Sequence, residues 1–307
     1  LPAKTKPAGP NWALIGSIGA AALLLVGGLA WMIGGRGRSG GKTGPASPPS
    51  VEDRIAWARA DAPFVNSLGM KFVPVPGTKV LFSVWETRVR DWGAFLKESG
   101  YAWKEDAGFE QTPDHPVVKV SWNDAKAFCA WLSKKDGCEY RLPTDDEWST
   151  AAGPGKYPWG DEWPPPAEAG NFAGEESTLG DSADHKGALM GWMDAHPRTA
   201  PVGSYVGNRL GLHDLSGNVW EFCEDWYTES IHAKQRAPGI PDPPPNVWAN
   251  IQKGNACHVV RGGSWTNNRE FLMRSVFRYD GPPDSRRIDR GFRCVVVASP
   301  VAPVPST

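Results

Sequence analysis

One stretch of the chain is uniformly apolar, and the remainder is patterned only in short pieces. No charge occurs between Lys6 and Arg36, and residues 13–33 (ALIGSIGAAALLLVGGLAWMI) form an unbroken apolar run. At about 1.5 Å per residue it crosses a hydrocarbon core of about 30 Å, so the pattern predicts a transmembrane helix. Trp12 and Trp31 sit near its ends, where interfacial aromatics belong. The run is longer than the core of a signal peptide and no small-x-small cleavage site follows it. Residues 1–12 form a flank. Residues 34–50, rich in Gly, Ser and Pro, read as a tether that cannot bury a core. A short helix is predicted from Val51 to Ala62, completing a linker over 34–63. One domain, 64–297, and a Pro-rich tail, 298–307, follow.

Within the domain few segments keep a helical period. Thr87 is placed to cap a helix over 88–99 that buries Val89, Trp92 and Leu96 and ends at Gly100. Ser121 and Asp124 make a capping pattern, with Ala125, Phe128, Cys129 and Leu132 on one face and Gly137 as the stop. Thr144 and Glu147 make a capping box ahead of Trp148, Ala151 and Ala152. Short strands are expected at 71–75, 80–85, 117–120, 259–262 and 292–297. From Gly153 to Asn208 there is almost no periodicity, so bound metal or interleaved aromatics must hold that stretch.

Composition sharpens this picture. Gly 35 and Pro 29 in 307 residues favour a loop-rich fold over a helical bundle, and 16 tryptophans are a heavy aromatic load. With 33 basic against 34 acidic residues, the charge footprint of a nucleic-acid binder is absent. The five cysteines form no CxxC pair, which argues against a zinc ribbon or a thioredoxin-like site. Pairings such as Cys129–Cys138 or Cys223–Cys257 stay open. The six histidines are scattered, with no HxH or HxxxHxE, and a nucleophile elbow and a phosphate loop are both missing.

Nine phrases then occur in order. They are Asn66-Ser67-Leu68-Gly69-Met70, Trp85-Glu86-Thr87-Arg88-Val89, His115-Pro116-Val117-Val118, Arg141-Leu142-Pro143-Thr144, Pro158-Trp159-Gly160, Ala200-Pro201-Val202-Gly203, Ser216-Gly217-Asn218-Val219-Trp220-Glu221, Arg261-Gly262-Gly263-Ser264-Trp265 and Arg290-Gly291-Phe292-Arg293-Cys294. Together they closely resemble the formylglycine-generating enzyme (sulfatase-modifying factor) family across about 64–297. The resemblance implies an α+β, irregular, C-type-lectin-like fold, here behind an N-terminal transmembrane helix. Read physically, Arg141 and Arg293 are expected to be buried guanidinium anchors for loop carbonyls.

The resemblance also implies calcium. One set would be Asp214 and Glu221 through their side chains, with Gly217 and Val219 through carbonyls. The other would be Asn171 and Asp194 through side chains, with Phe172 and His196 through carbonyls. Hard oxygen donors of this kind suit Ca²⁺. The family's copper chemistry needs two cysteines shortly after Gly-Gly-Ser, because soft thiolates select Cu(I). In this sequence those positions are Asn267 and Leu272, so no copper is expected.

The leading expectation is therefore a membrane-anchored, non-catalytic domain that binds a protein, glycan or small-molecule ligand. Candidate ligand-binding residues are Ser264, Trp265, Asn267, Asn268, Arg269, Arg274 and Arg278, in an aromatic, Arg-rich segment. The resemblance to relatives in which such a domain follows a membrane span C-terminal to a Ser/Thr kinase implies a sensor half on the periplasmic or outer side. Arg36, Arg38 and Lys42 after the span lean the other way under the positive-inside rule. The alternatives are a divergent oxidoreductase acting on a protein or small-molecule thiol, and a structural subunit of a cell-envelope complex.

Overall fold

The computed structural model describes residues 48–178, 187–227 and 256–298. The predicted span at 13–33 lies outside them. Among the described residues no helix is long and apolar enough to cross a membrane.

The first helix, α1 (Val51–Ala56), is capped by Ser50, whose hydroxyl accepts from Asp53 N while Asp53 answers the Ser50 backbone. It ends earlier than expected. Arg59 and Ala62 close a reciprocal backbone turn, and Pro63 disfavours helix at the residue before it. Two strands, β1 (Phe64–Val65) and β2 (Lys71–Pro74), lead to β3 (Val80–Ser83). Helix α2 (Val89–Ser99) is capped at Arg88, not at Thr87 as the sequence suggested. Thr87 is tied on both sides by its backbone, its N–H donating to Phe292 O and its carbonyl accepting from Val117 N, and the helix starts one residue later, with Asp91 accepting from Arg88 N. Helix α3 (Trp122–Asp136) has the expected Ser121–Asp124 box and stops at Gly137, whose φ of 72° suits glycine. Strand β4 (Tyr140–Arg141) and helix α4 (Asp145–Ala152) follow, the latter with the expected Thr144–Glu147 box.

Among the described residues the longest strand is β5 (Trp220–Trp226), which has no clean apolar alternation in the sequence. It is followed by β6 (His258–Arg261), β7 (Tyr279–Gly281), β8 (Arg290–Gly291) and β9 (Val295–Val297). Residues 117–120 form no strand. Val117, Val118 and Val120 are buried, but Lys119 adopts φ 53° and its N–H bonds Arg287 O.

Two sheets result, one ordered β1-β2-β3-β9-β4 and the other β7-β6-β5-β8. Alternation along the strands divides the core. Phe72, Leu81, Phe222, Val260 and Val296 face the cluster built on Trp92, Phe95, Phe128 and Leu132 of α2 and α3. Val73, Phe82, Cys223, Val259 and Val295 face the cluster around Trp148 and Ala151 of α4. This is the period-two rule carried out by three- to seven-residue strands.

The stretch without periodicity is held by aromatics. Tyr157 stacks on Trp159 at 4.6 Å, Trp159 meets Phe172 edge-on, and Phe172 meets Trp192. Regular structure there is limited to one 3₁₀ turn, Glu175–Thr178, among the described residues.

Candidate functional site

The Gly262-Gly263 pair turns the chain sharply, with φ of 95° and 77°. A side chain at Gly263 would sit 3.3 Å from Leu272 O and 3.4 Å from Asn267 Oδ1. The two positions that carry cysteines in the resembled family are therefore brought to one place, against Gly263. Chemically they cannot do the same work. Asn267 Oδ1 accepts from Ser264 N at 2.8 Å and from Ser264 Oγ at 3.2 Å, and so closes a turn. Leu272 supplies an aliphatic side chain. No cysteine replaces them nearby in the chain. Cys129 and Cys294 lie in the core with their sulfurs 3.5 Å apart, which differs from the pairs considered from sequence, and none of the five cysteines is in a disulfide.

The other predicted ligand-binding residues separate by environment. Ser264 is buried, its hydroxyl shared with Thr266. Trp265 is 1% exposed, donates to Ile288 O and packs against Phe109 under Arg198, so it is a packing residue and not a surface anchor. Arg274 pairs with Glu270 at 3.1 Å, and Arg278 pairs with Asp145 at 2.7 Å. Asn268 is half-buried. Arg269 is exposed.

The implied calcium set of Asn171 and Asp194 comes together around Phe172. Asn171 is fully buried, its amide donating to Arg198 O at 2.7 Å, and its Oδ1 has no partner. Asp194 lies across from it, accepting from Phe172 N at 3.1 Å and from His196 N at 2.7 Å. Glu176 closes the group, accepting from Asp194 N at 3.0 Å. Burial, with the Glu176 charge beside it, pushes the Asp194 carboxyl up to about 7. An orphaned oxygen next to an underneutralised carboxylate is the donor chemistry a hard cation satisfies, so this set fits.

The set of Asp214, Gly217, Val219 and Glu221 sits against it. Gly217 packs so tightly on the Asn171 backbone that any side chain there would collide with it, while Asn218 N donates to Asn171 O at 2.8 Å. That is why position 217 must be glycine. Here the Glu221 side chain does not match its implied role. Both Glu221 oxygens are engaged: Arg293 Nη2 and Nε reach them at 2.6 and 2.7 Å, and Trp148 Nε1 donates at 2.9 Å. A guanidinium already holds the place of a cation. Asp214 accepts from Gly203 N through Oδ2, and its Oδ1 has no partner.

Sequence reading missed two members of this centre. Glu86 is fully buried and accepts from Asn218 Nδ2 at 2.9 Å. Burial first, then the Asp214 and Glu221 charges, raise its carboxyl far above the ordinary range. Asn218, at φ 55°, links Glu86, Asn171 and the Ala200 backbone. Both residues lay within quoted phrases, yet nothing local marks a Glu beside Trp85 as buried. Arg293 was expected as an anchor and is one, adding Ser83 O and His213 O to its pair with Glu221. Arg141 is only half-buried and serves mainly as a fork onto Glu147.

Comparison with known proteins agrees with this architecture. The family model described as "Sulfatase-modifying factor enzyme 1-like domain" matches residues 63–298. A formylglycine-generating enzyme of Thermomonospora curvata is 33% identical over 230 residues, 71% of this chain and 68% of that protein. Serine/threonine-protein kinase Pkn1 of Chlamydia trachomatis is 31% identical over 66% of this chain and 26% of its own length. Inactive C-alpha-formylglycine-generating enzyme 2 of Bos taurus is 31% identical over 62% of this chain and 55% of its own. Among solved structures, PvdO from Pseudomonas aeruginosa shares the fold, with a TM-score of 0.54 at 23% identity over 71% of this chain and 80% of that one. With the nine motifs in order, a family match over most of the described domain and the two-sheet, loop-rich fold around Arg293, this chain belongs to the sulfatase-modifying factor enzyme 1-like domain family.

Proposed function

We propose that the chain is a non-catalytic member of this family, tethered to a membrane through residues 13–33, whose domain works outside the cytoplasm as a ligand-binding or sensor module. The observation that carries the reading is the turn at Gly263. There the position that would need a thiolate holds Asn267, whose amide oxygen is consumed by Ser264, and its companion is Leu272. Neither group binds Cu(I) or exchanges electrons with a thiol. An inactive relative and a kinase that contains a matching segment support the same reading. In the kinase arrangement the sensor half would pass ligand binding through the span to a catalytic half.

Recognition through the exposed part of the 264–278 segment centres on Arg269, since Trp265 is buried. Calcium belongs to this reading as a structural ion. Asn171 and Asp194 side chains, with the Phe172 and His196 carbonyls, would hold it and pin the aperiodic 153–208 stretch.

The test incubates the full chain with Cu(I) and a Cys-x-Pro-x-Arg peptide and looks for aldehyde by mass spectrometry. No aldehyde above a protein-free control is expected. Turnover would overturn the reading and restore the alternative of a divergent oxidoreductase.

A further inference from the structure

The end of α1 and the edge strand β1 enclose a shallow groove of about 550 Å³. Trp57, 60% exposed, lines it together with Pro63 and Val65, and this open apolar surface gains from being covered. Arg54 and Arg59 line it too. The Arg54 guanidinium sits over the ring of buried Phe64, 5.4 Å from the centroid, and Arg59 donates to Asp61 through Nε.

We propose that this groove is the docking site of the chain's own Pro-rich tail, residues 299–307, seated as a polyproline II segment with Pro303 and Pro305 against Trp57. The tail reads Ser-Pro-Val-Ala-Pro-Val-Pro-Ser-Thr and lies outside the described residues. Pro300, Pro303 and Pro305 each fix φ and remove an N–H donor, which favours polyproline II and leaves little entropy to lose on docking. Aromatic-lined grooves take such segments by this preformed shape. The carbonyls of a polyproline II segment make no internal hydrogen bonds, and Arg54 and Arg59 bring spare N–H donors to the groove. No side chain from Ser299 to Thr307 is charged, so covering the groove with them buries no ion.

The reach is right. Strand β9 ends at Val297, and Ala298 N donates to Lys79 O. Ala298 packs on the same core cluster as Val51, Ile55 and Ala58, so the tail leaves on the α1 side of the sheet. In the order β1-β2-β3-β9, strand steps of about 4.8 Å put β1 about 14 Å from β9. Phe64 is level with Phe72 and Ser83, and the run from Ser83 back to Lys79 adds about 13 Å along the strands. Phe64 therefore lies about 20 Å from Ala298. At about 3.1 Å per residue, Pro303 stands about 16 Å and Pro305 about 22 Å past Ala298, which brackets the groove, while Pro300 falls short. The inference does not rest on the turn at Gly263, so either reading can fail without the other.

The test footprints the full chain in detergent micelles with hydroxyl radicals and reads oxidation at Trp57 by mass spectrometry, with half-buried Trp122 as the internal reference. The triple variant Pro300→Gly, Pro303→Gly, Pro305→Gly keeps the length and charge of the tail, and should raise Trp57 oxidation about threefold or more. A synthetic peptide of residues 299–307 added to that variant should restore protection saturably, and the same peptide with glycine at the three prolines should not. Trp57→Ala, placed in the triple variant, should weaken binding of the fluorescently labelled peptide about tenfold or more. Unchanged Trp57 oxidation in the triple variant overturns the proposal, as does a peptide that fails to protect or that binds Trp57→Ala equally well. Protection that persists in the triple variant and is lost on dilution of the chain would assign the groove to a second copy. Protection that persists and is lost when detergent is exchanged for an amphipathic polymer would assign it to a lipid-like surface. Either result overturns the docking of the tail.

Discussion

Arg293 and Glu221 meet as a two-pronged pair with no solvent contact, Nη2 to Oε1 at 2.6 Å and Nε to Oε2 at 2.7 Å. The pair joins the strand-to-loop corner of one sheet to β5 of the other, and the spare guanidinium donors hold Ser83 O and His213 O. Glu86 and Asp214 stand close enough to feel it. The centre of the domain is thus organised by one guanidinium among three buried acidic side chains.

Removing that cation should be severe. Arg293→Met strands Glu221 together with Glu86 and Asp214, and breaking a buried pair from one side costs about 3–5 kcal/mol. Urea denaturation should show a loss of that order or no folded protein. Arg293→Lys should recover little, because a point charge cannot fork onto both oxygens and reach two carbonyls.

Stability should vary with pH in a predictable direction. Burial raises Asp194 to about 7, and Asp214 and Asp225 to about 6, from an ordinary 3.8. The folded form then binds more protons than the unfolded form between about pH 4 and 7. The stabilisation is fully present below pH 4 and is lost as pH rises through 6 to 7. His258, lowered to about 4 by burial, acts oppositely and loses stability below its ordinary 6.5. In calcium-free buffer, Asp194→Asn should flatten the fall between pH 5 and 7. An unchanged pH profile of the melting temperature would contradict the assignment.

Calcium bound at Asn171 and Asp194 would reverse the charge imbalance that raises Asp194. Adding calcium at about 100 times its dissociation constant should raise stability by about 2.7 kcal/mol. The gain should disappear in Asp194→Ala and survive in Glu221→Gln, since Glu221 serves Arg293. A gain that survives Asp194→Ala would remove this site.

Cys129 and Cys294 should be the pair that oxidises. Their sulfurs lie 3.5 Å apart, whereas neither pairing suggested by the sequence is formed. Refolding with oxidised glutathione, which takes up the two electrons and two protons, should give a Cys129–Cys294 linkage in peptide mapping. A different dominant linkage would contradict the packing of α3 on the sheet.

Trp265 and Arg269, neighbours in one segment, should behave differently. Trp265→Ala empties a packed site and should cost about 3–5 kcal/mol. Arg269→Ala, at an exposed position, should leave the melting temperature within about a degree or two and reduce ligand capture. Lost stability in Arg269→Ala would make it a structural residue.

The sequence by itself determined the elements whose signals are local. Ser121 with Asp124, and Thr144 with Glu147, write their own caps, and Gly137 ends α3 because it tolerates a left-handed backbone. The order of the motifs was enough for the family, and Asn267 and Leu272 were enough to exclude a thiolate pair. Thr87 misled because Arg88 has no side-chain acceptor to advertise it as a cap, and only the pairing of Thr87 with Phe292 and Val117 put the helix start one residue later. Strand β5 was illegible because Glu221, the second residue of the strand, reads as solvent-facing until Arg293, 72 residues away, neutralises it. The same separation hid Glu86, whose burial depends on Asn218. Tertiary structure alone left Asn171 Oδ1 and Asp214 Oδ1 buried without partners, because hydrogen-bond satisfaction is a property of the packed chain and not of any segment of it.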